Sequence, residues 1–215
     1  MISSSKSNHL NNNNNQRHPN AIADEPRIPG ARRRPRTTLE SPPYNITFDH
    51  STPLWSSHLL ISSPSTLVDV HRAFLSAGAD IILTATYRSS FEGFARTDPH
   101  YTTDDAARYM RSAIPLARQA FSSEDVCSWY PRVALSLGPY GATMSPVAAE
   151  YSGEYPEAMS SEGALREWHG KQLEVFAEDE ASWQDINYIT FETVRRADRS
   201  PSDTGGSPRY SDFQK

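Results

Sequence analysis

Between residues 63 and 193 the apolar positions switch between helical spacing and short unbroken runs. Ser63-Pro64 has the form of an N-cap followed by proline at the first helical position, where its missing N–H costs nothing. Leu67, Val70, His71, Phe74 and Leu75 follow at helical steps, and Gly78 stands where a left-handed C-terminal residue is wanted. Residues 81–86 then read as a strand. A second helix starts near Thr102, with Asp104 and Asp105 in its first turn to complement the dipole. Ala106, Tyr109, Met110, Ala113, Ile114, Ala117, Ala120 and Phe121 give that helix one apolar stripe. Pro115 lies inside the stripe and predicts a kink or an interruption. "RVALSLGPYG", 132–141, is the next strand, stopped by Gly138-Pro139. A third helix over about 161–177 turns Leu165, Trp168, Leu173 and Phe176 inward, and "INYITFET", 186–193, closes the series as a strand.

Strands separated by helices make successive βα units, which give parallel strands covered by helices. Two architectures fit: an open doubly wound sheet, or a segment of a (β/α)8 barrel. No Gly-x-Gly-x-x-Gly turn follows any strand, which disfavours the dinucleotide-binding sheet. Both architectures place the ligand at the carboxyl ends of the strands. Thr86-Tyr87, Gly138-Pro139 and Glu192-Thr193 are therefore expected on one face, around one pocket.

Composition separates this region from its flanks. Hydrophobic residues make up 37% of the 215, low for a compact domain, so part of the chain is expected to lie outside one. Residues 1–36 are Ser/Asn-rich, with Arg32, Arg33, Arg34 and Arg36 clustered among prolines, and 197–215 are similarly polar. Both read as disordered tails flanking a domain at 37–196, because such stretches cannot offset the entropy of ordering. The arginine cluster has the form of a nuclear-targeting or nucleic-acid patch, or simply of a solvated basic tail. The net charge of −5 speaks against a general nucleic-acid binder. No run approaches a membrane span, and the N-terminus lacks the apolar core of a secretory signal, so a cytoplasmic protein is expected.

Glu192 is the sharpest chemical candidate. It follows Ile189-Thr190-Phe191 at a strand end, where a carboxylate is costly unless paired or well hydrogen-bonded. A ligand ammonium would serve, and so would a neighbouring Arg or Lys; pattern alone leaves both open. Thr84 and Thr86 share a strand face, with hydroxyls available either to a ligand or to local backbone. The seven histidines (His9, His18, His50, His58, His71, His100 and His169) include no pair at metal-ligand spacing on one helix. Cys127, the single cysteine, has Glu124 and Asp125 nearby, and negative charge raises a thiol's pKa, which makes it a poor nucleophile.

Taken together, "TTLESPPYNI", "PLWSSHLL", "VHRAFLSAGADIILTATYRSSFEGF", "LSLGPYGA", "EYSGEY" and "INYITFET" resemble the homocysteine S-methyltransferase family in its fungal-type form, from about Thr37 to Arg196. The resemblance implies a (β/α)8 barrel that moves a methyl group from S-methylmethionine or S-adenosylmethionine to homocysteine, giving methionine. By position, Glu192 corresponds to the family's glutamate that holds the substrate amino group, and Thr84, Thr86 and Tyr87 to second-strand residues lining the same pocket. The resemblance also implies zinc held by three cysteines, which binds the substrate sulfur and deprotonates it.

Three departures bear on that picture. Cys127 matches none of the family's zinc cysteines, so no ligand set for zinc is expected here. "RIPGARRRPR" stands where the family's first strand carries an Asp-Gly pair, and Arg195 stands where the family usually has proline. The expectation is a truncated barrel, about its first half, with weak or no activity and marginal stability. An alternative is a non-catalytic binding or regulatory fragment that associates with a full-length relative through its open sheet edges.

Overall fold

The computed structural model describes residues 38–49, 51–121, 131–144 and 149–193. Cys127, the arginine cluster at 32–36 and both tails lie outside the described residues. Helices alternate with three strands, as the apolar pattern requires. A 3₁₀ turn at Trp55–His58 leads into α1 (Leu59–Ser62) and α2 (Pro64–Ser76), followed by β1 (Ile81–Leu83). Next come α3 (Phe91–Thr97), α4 (Thr103–Gln119) and β2 (Arg132–Leu137). A short α5 (Ala149–Ser152) precedes α6 (Glu162–Ala177), α7 (Glu180–Asp185) and β3 (Tyr188–Phe191). The strands form one parallel sheet in the order β1-β2-β3, with Ile82 opposite Val133 and Leu135 opposite Ile189.

Local chemistry sets most boundaries. Pro64 begins α2 after Ser63, and Gly78 takes a φ of +89° just beyond its end, a conformation that costs glycine little. Thr102 caps α4 in a reciprocal capping box with Asp105, and Ser161 caps α6 through the Ala164 N–H. α4 runs without interruption through Pro115, contrary to one of the two outcomes expected there. The proline lies on the exposed face, where water can serve the carbonyl it leaves unpaired.

β1 stops three residues short of the expected end at 86. The Thr84 N–H still donates to the Ala134 carbonyl (3.0 Å), but the Ser136 N–H donates to the Thr84 hydroxyl instead of a backbone carbonyl (3.0 Å). A side chain has replaced the ladder there, freeing 85–88 to turn.

The core lies between the sheet and α4 and α6. Ile82, Val133, Leu135 and Leu137 pack with Met110, Ile114, Ala117, Val175 and Phe176. Phe176 turns inward as expected, whereas Leu165, Trp168 and Leu173 are only half-buried, and Gln172 and Val175 take the deeper positions. A second cluster joins Leu39, Phe48, Leu59, Leu60, Leu67 and Val70 to Ala85 and Ala113, and seats the segment before α1. Among the described residues β1 and β3 are the sheet edges, and Phe191 on β3 is 47% exposed. No helix among the described residues is long and apolar enough to cross a membrane.

Candidate functional site

The carboxyl ends of the three strands converge, as the βα pattern requires. The Gly138 N–H donates to the Tyr87 carbonyl (3.1 Å), and the Glu192 N–H donates to the Leu137 carbonyl (2.9 Å). β2 is thus tied on one side to the turn after β1 and on the other to the end of β3. Glycine at 138 is a steric necessity, since a Cβ there would meet the Tyr87 carbonyl oxygen at 2.3 Å. Tyr87, Gly138 and Glu192, the three points expected around one pocket, stand side by side.

Thr84 and Thr86, 2% and 1% exposed, point into the seam between β1 and β2. Their hydroxyls lie 2.7 Å apart, and Thr86 donates to the Ser136 carbonyl (2.7 Å). Proton accounting fixes the directions. Thr86 gives its only hydroxyl proton to Ser136, so Thr84 gives its own to Thr86 and accepts from the Ser136 N–H. Neither hydroxyl has a proton left to donate.

Glu192 is half-buried, and the Ser136 hydroxyl donates to its Oε1. Among the described residues it forms no salt bridge, and its side-chain partner is the Ser136 hydroxyl. Ser136 received no role in the sequence reading. Its signal was present in "RVALSL", where one hydroxyl stands between two leucines of a buried strand.

Tyr87 connects the site to α5. Its phenol oxygen lies 2.8 Å from Glu150 Oε1 and 3.0 Å from Thr193 Oγ1. A phenol has one proton and gives it to the carboxylate, the stronger acceptor, which leaves the Thr193 hydroxyl to donate back. Burial raises the Tyr87 pKa above its ordinary value of 10.0; the Thr193 bond opposes this, and the Glu150 carboxylate adds to it. The phenol is therefore a neutral donor throughout the physiological range.

Glu150 is 3% exposed and Arg88 8%, and Arg88 Nη2 forms a salt bridge with Glu150 Oε2. The same guanidinium lies over the Trp55 ring, 4.4 Å from its centroid. Arg88 and Glu150 are 62 residues apart, and the sequence reading assigned neither a role. The usable signal was general: a carboxylate buried by its fold needs a cation, and Arg88 lies in the turn that follows β1. Trp55 and Thr193 are both non-glycine residues with positive φ, +49° and +58°. Such backbone costs on the order of 1–3 kcal/mol per residue and persists where neighbours hold it.

Other candidates fall elsewhere. A surface cleft of about 430 Å³ lies between α4 and α6, lined by Asp104, Arg111, Lys171, Glu174 and Glu178 among others, away from the strand ends. Its charges are partly paired with one another or with neighbours, Arg111 with Glu178 (3.2 Å) and Lys171 with Glu167 (2.8 Å). His71 is buried against the core, and His169 stacks edge-on between Trp168 and Phe191. Among the described residues no three His, Cys, Asp or Glu side chains come together to hold a metal ion.

A parallel βα sheet with a carboxylate, a phenol and a buried ion pair at its strand ends has the arrangement in which α/β proteins commonly seat a small molecule. The chain belongs to the homocysteine S-methyltransferase family, whose sequence profile matches residues 36–200. It is 38% identical over 129 residues to a betaine-homocysteine S-methyltransferase of Drosophila melanogaster, covering 57% of this chain and 38% of that protein. It is 35% identical over 154 residues to homocysteine S-methyltransferase 2 of Zea mays, covering 68% and 43% respectively. The crystal structure of the metallated form of the homocysteine methyltransferase MmuM from Escherichia coli superposes with a TM-score of 0.54 at 26% identity, over 66% of this chain and 46% of that one. The chain thus spans less than half the length of these relatives.

Proposed function

We propose that the domain at 37–196 forms the front part of a (β/α)8 barrel whose strand ends hold homocysteine as a methyl acceptor. In this reading the Glu192 carboxylate receives the substrate ammonium, Tyr87 contributes a neutral phenol beside it, and Thr84 and Thr86 form the pocket wall. The threonines act through shape, since their hydroxyl protons are already committed. The donor in the complete reaction would be a sulfonium compound, S-methylmethionine or S-adenosylmethionine, and the product methionine. The observation that carries the reading is Glu192 itself, a half-buried carboxylate at a strand end with a hydroxyl partner and, among the described residues, no cation.

The zinc implied by the family does not fit this chain. Its 215 residues contain one cysteine, Cys127, so a site of three thiolates cannot be assembled from them. No step is derived through a metal here. Binding of the amino acid and activation of its sulfur are separate tasks, and this chain carries residues for the first. The 215-residue chain is accordingly expected to bind homocysteine weakly and to transfer little or no methyl.

Calorimetric titration tests the reading. Glu192→Gln keeps the side-chain shape and removes the charge, and a hydrogen bond to a charged group is worth about 1.5–3 kcal/mol. Affinity for homocysteine should fall about 10- to 100-fold, while affinity for 4-mercaptobutyrate, which lacks the amino group, should not change. Equal homocysteine affinity in the variant and the parent would overturn the assignment.

A further inference from the structure

The buried Arg88–Glu150 pair is the middle of a longer chain of contacts. Trp55 supports Arg88 from beneath, Arg88 holds Glu150 Oε2, Glu150 Oε1 accepts from Tyr87, and the Tyr87 phenol meets Thr193. Both ends of this chain have left-handed backbone, Trp55 and Thr193, two of the three non-glycine residues with positive φ among the described residues; the third is Asn45. For a β-branched residue such as Thr193 that conformation is a genuine outlier, held only where its surroundings over-determine it. Thr193 directly follows Glu192, so the peptide joining them belongs to the strained turn. The direction in which Glu192 leaves the sheet is set together with that turn.

Resting on the reading of Glu192 as the partner of the substrate ammonium, we infer that Glu150 is a positioning residue for that site. Pinned by Arg88, it fixes the Tyr87 phenol, which holds the Thr193 turn and keeps the Glu192 carboxylate aimed at the ligand. Direct binding by Glu150 is the rival role, and the geometry opposes it. Glu150 is 3% exposed with both oxygens engaged, so an ammonium reaches it only by displacing Arg88 or Tyr87. Glu192 is more open and has one oxygen on Ser136. Tyr87 suits the relay because burial and the adjacent carboxylate keep its proton in place.

The test removes both charges of the ion pair together. Exchanging both partners for apolar residues of similar volume, R88M/E150L, is a change that buried pairs often tolerate. Two quantities are read on the 215-residue chain: backbone amide shifts, and the ratio of affinities for homocysteine and 4-mercaptobutyrate. The Glu192 and Thr193 amides are expected to move while those of Val133 and Leu135 stay, and the ratio should fall about tenfold, the effect of losing one charge-assisted contact. Glu150→Asp, which keeps the charge at shorter reach, should restore part of the ratio. Tyr87→Phe leaves the ion pair intact and should move the same two amides, which decides the matter if the double variant does not fold. Unmoved Glu192 and Thr193 amides overturn the inference, as does an unchanged ratio in a parent that shows one. If the parent does not prefer homocysteine over the analogue, the assignment of Glu192 has failed instead, and the amide shifts alone decide whether Glu150 positions the turn.

Discussion

Replacing Glu150 by alanine is expected to lower the unfolding free energy by about 3–5 kcal/mol, the usual cost of removing one partner of a buried ion pair. Arg88, 8% exposed, would lose the buried carboxylate it is paired with, and Tyr87 would lose its acceptor at the same time. Ordinary domains have only about 5–15 kcal/mol to lose. Here a smaller reserve is expected, because the described sheet has three strands and two edges. A urea titration followed by tryptophan fluorescence should therefore show the midpoint collapsing toward zero denaturant, or no cooperative transition at all. The paired exchange R88M/E150L should recover most of the loss, since both charges of the pair are removed together. A cost below about 1 kcal/mol for Glu150→Ala, the value of a surface pair, would show that water reaches this pair.

Acid should begin to destabilise the chain above the ordinary carboxylate range, and His71 is the main reason. Burial drives its pKa down from 6.5 to about 4, partly opposed by backbone hydrogen bonds to Leu116 and Leu83. In the unfolded chain the imidazole recovers its ordinary value, so between pH 6.5 and 4 the unfolded state binds more protons. Stability is then present in full above about pH 6.5, falls steadily as pH drops, and stops falling on this account below about 4. At about 1.4 kcal/mol per unit, the window is worth roughly 3 kcal/mol. His169, also lowered to about 4 by burial, acts in the same direction. Urea titrations at pH 7.5, 5.5 and 4.5 measure the slope directly. His71→Leu should flatten it whatever the substitution does to stability at pH 7.5. An unchanged slope in that variant would show that the imidazole is already protonated or solvated in the folded chain.

Elements announced by local chemistry were legible before any coordinates. The Ser63-Pro64 start, the start near Thr102 with Asp104 and Asp105 in its first turn and the Gly138-Pro139 stop each depend on a few adjacent residues, and each lies where the pattern places it. Parallel strands were legible because βα spacing permits little else, and the convergence of Tyr87, Gly138 and Glu192 followed from that. Features created by distant partners were not. The end of β1 at Leu83 depends on Thr84 bonding across to Ser136, which no reading of 81–86 alone reveals. α3 was missed because its Ser90 cap and short apolar content look like loop chemistry. Glu150 was visible only as part of "EYSGEY", and its partner, Arg88, lies 62 residues away. The candidate pocket was thus readable as a location, while the network that supports it emerged only once the chain was folded.

The measurement closest to the centre of this account is an amide-resolved NMR titration of the 215-residue chain with homocysteine. Convergent strand ends predict that Tyr87, Arg88, Gly138, Glu192 and Thr193 shift together along one binding curve, with Asp104, Lys171 and Glu174 in the cleft between α4 and α6 unmoved. Shifts confined to that cleft, or none up to about 10 mM ligand, where even a millimolar site would be nearly full, would contradict it.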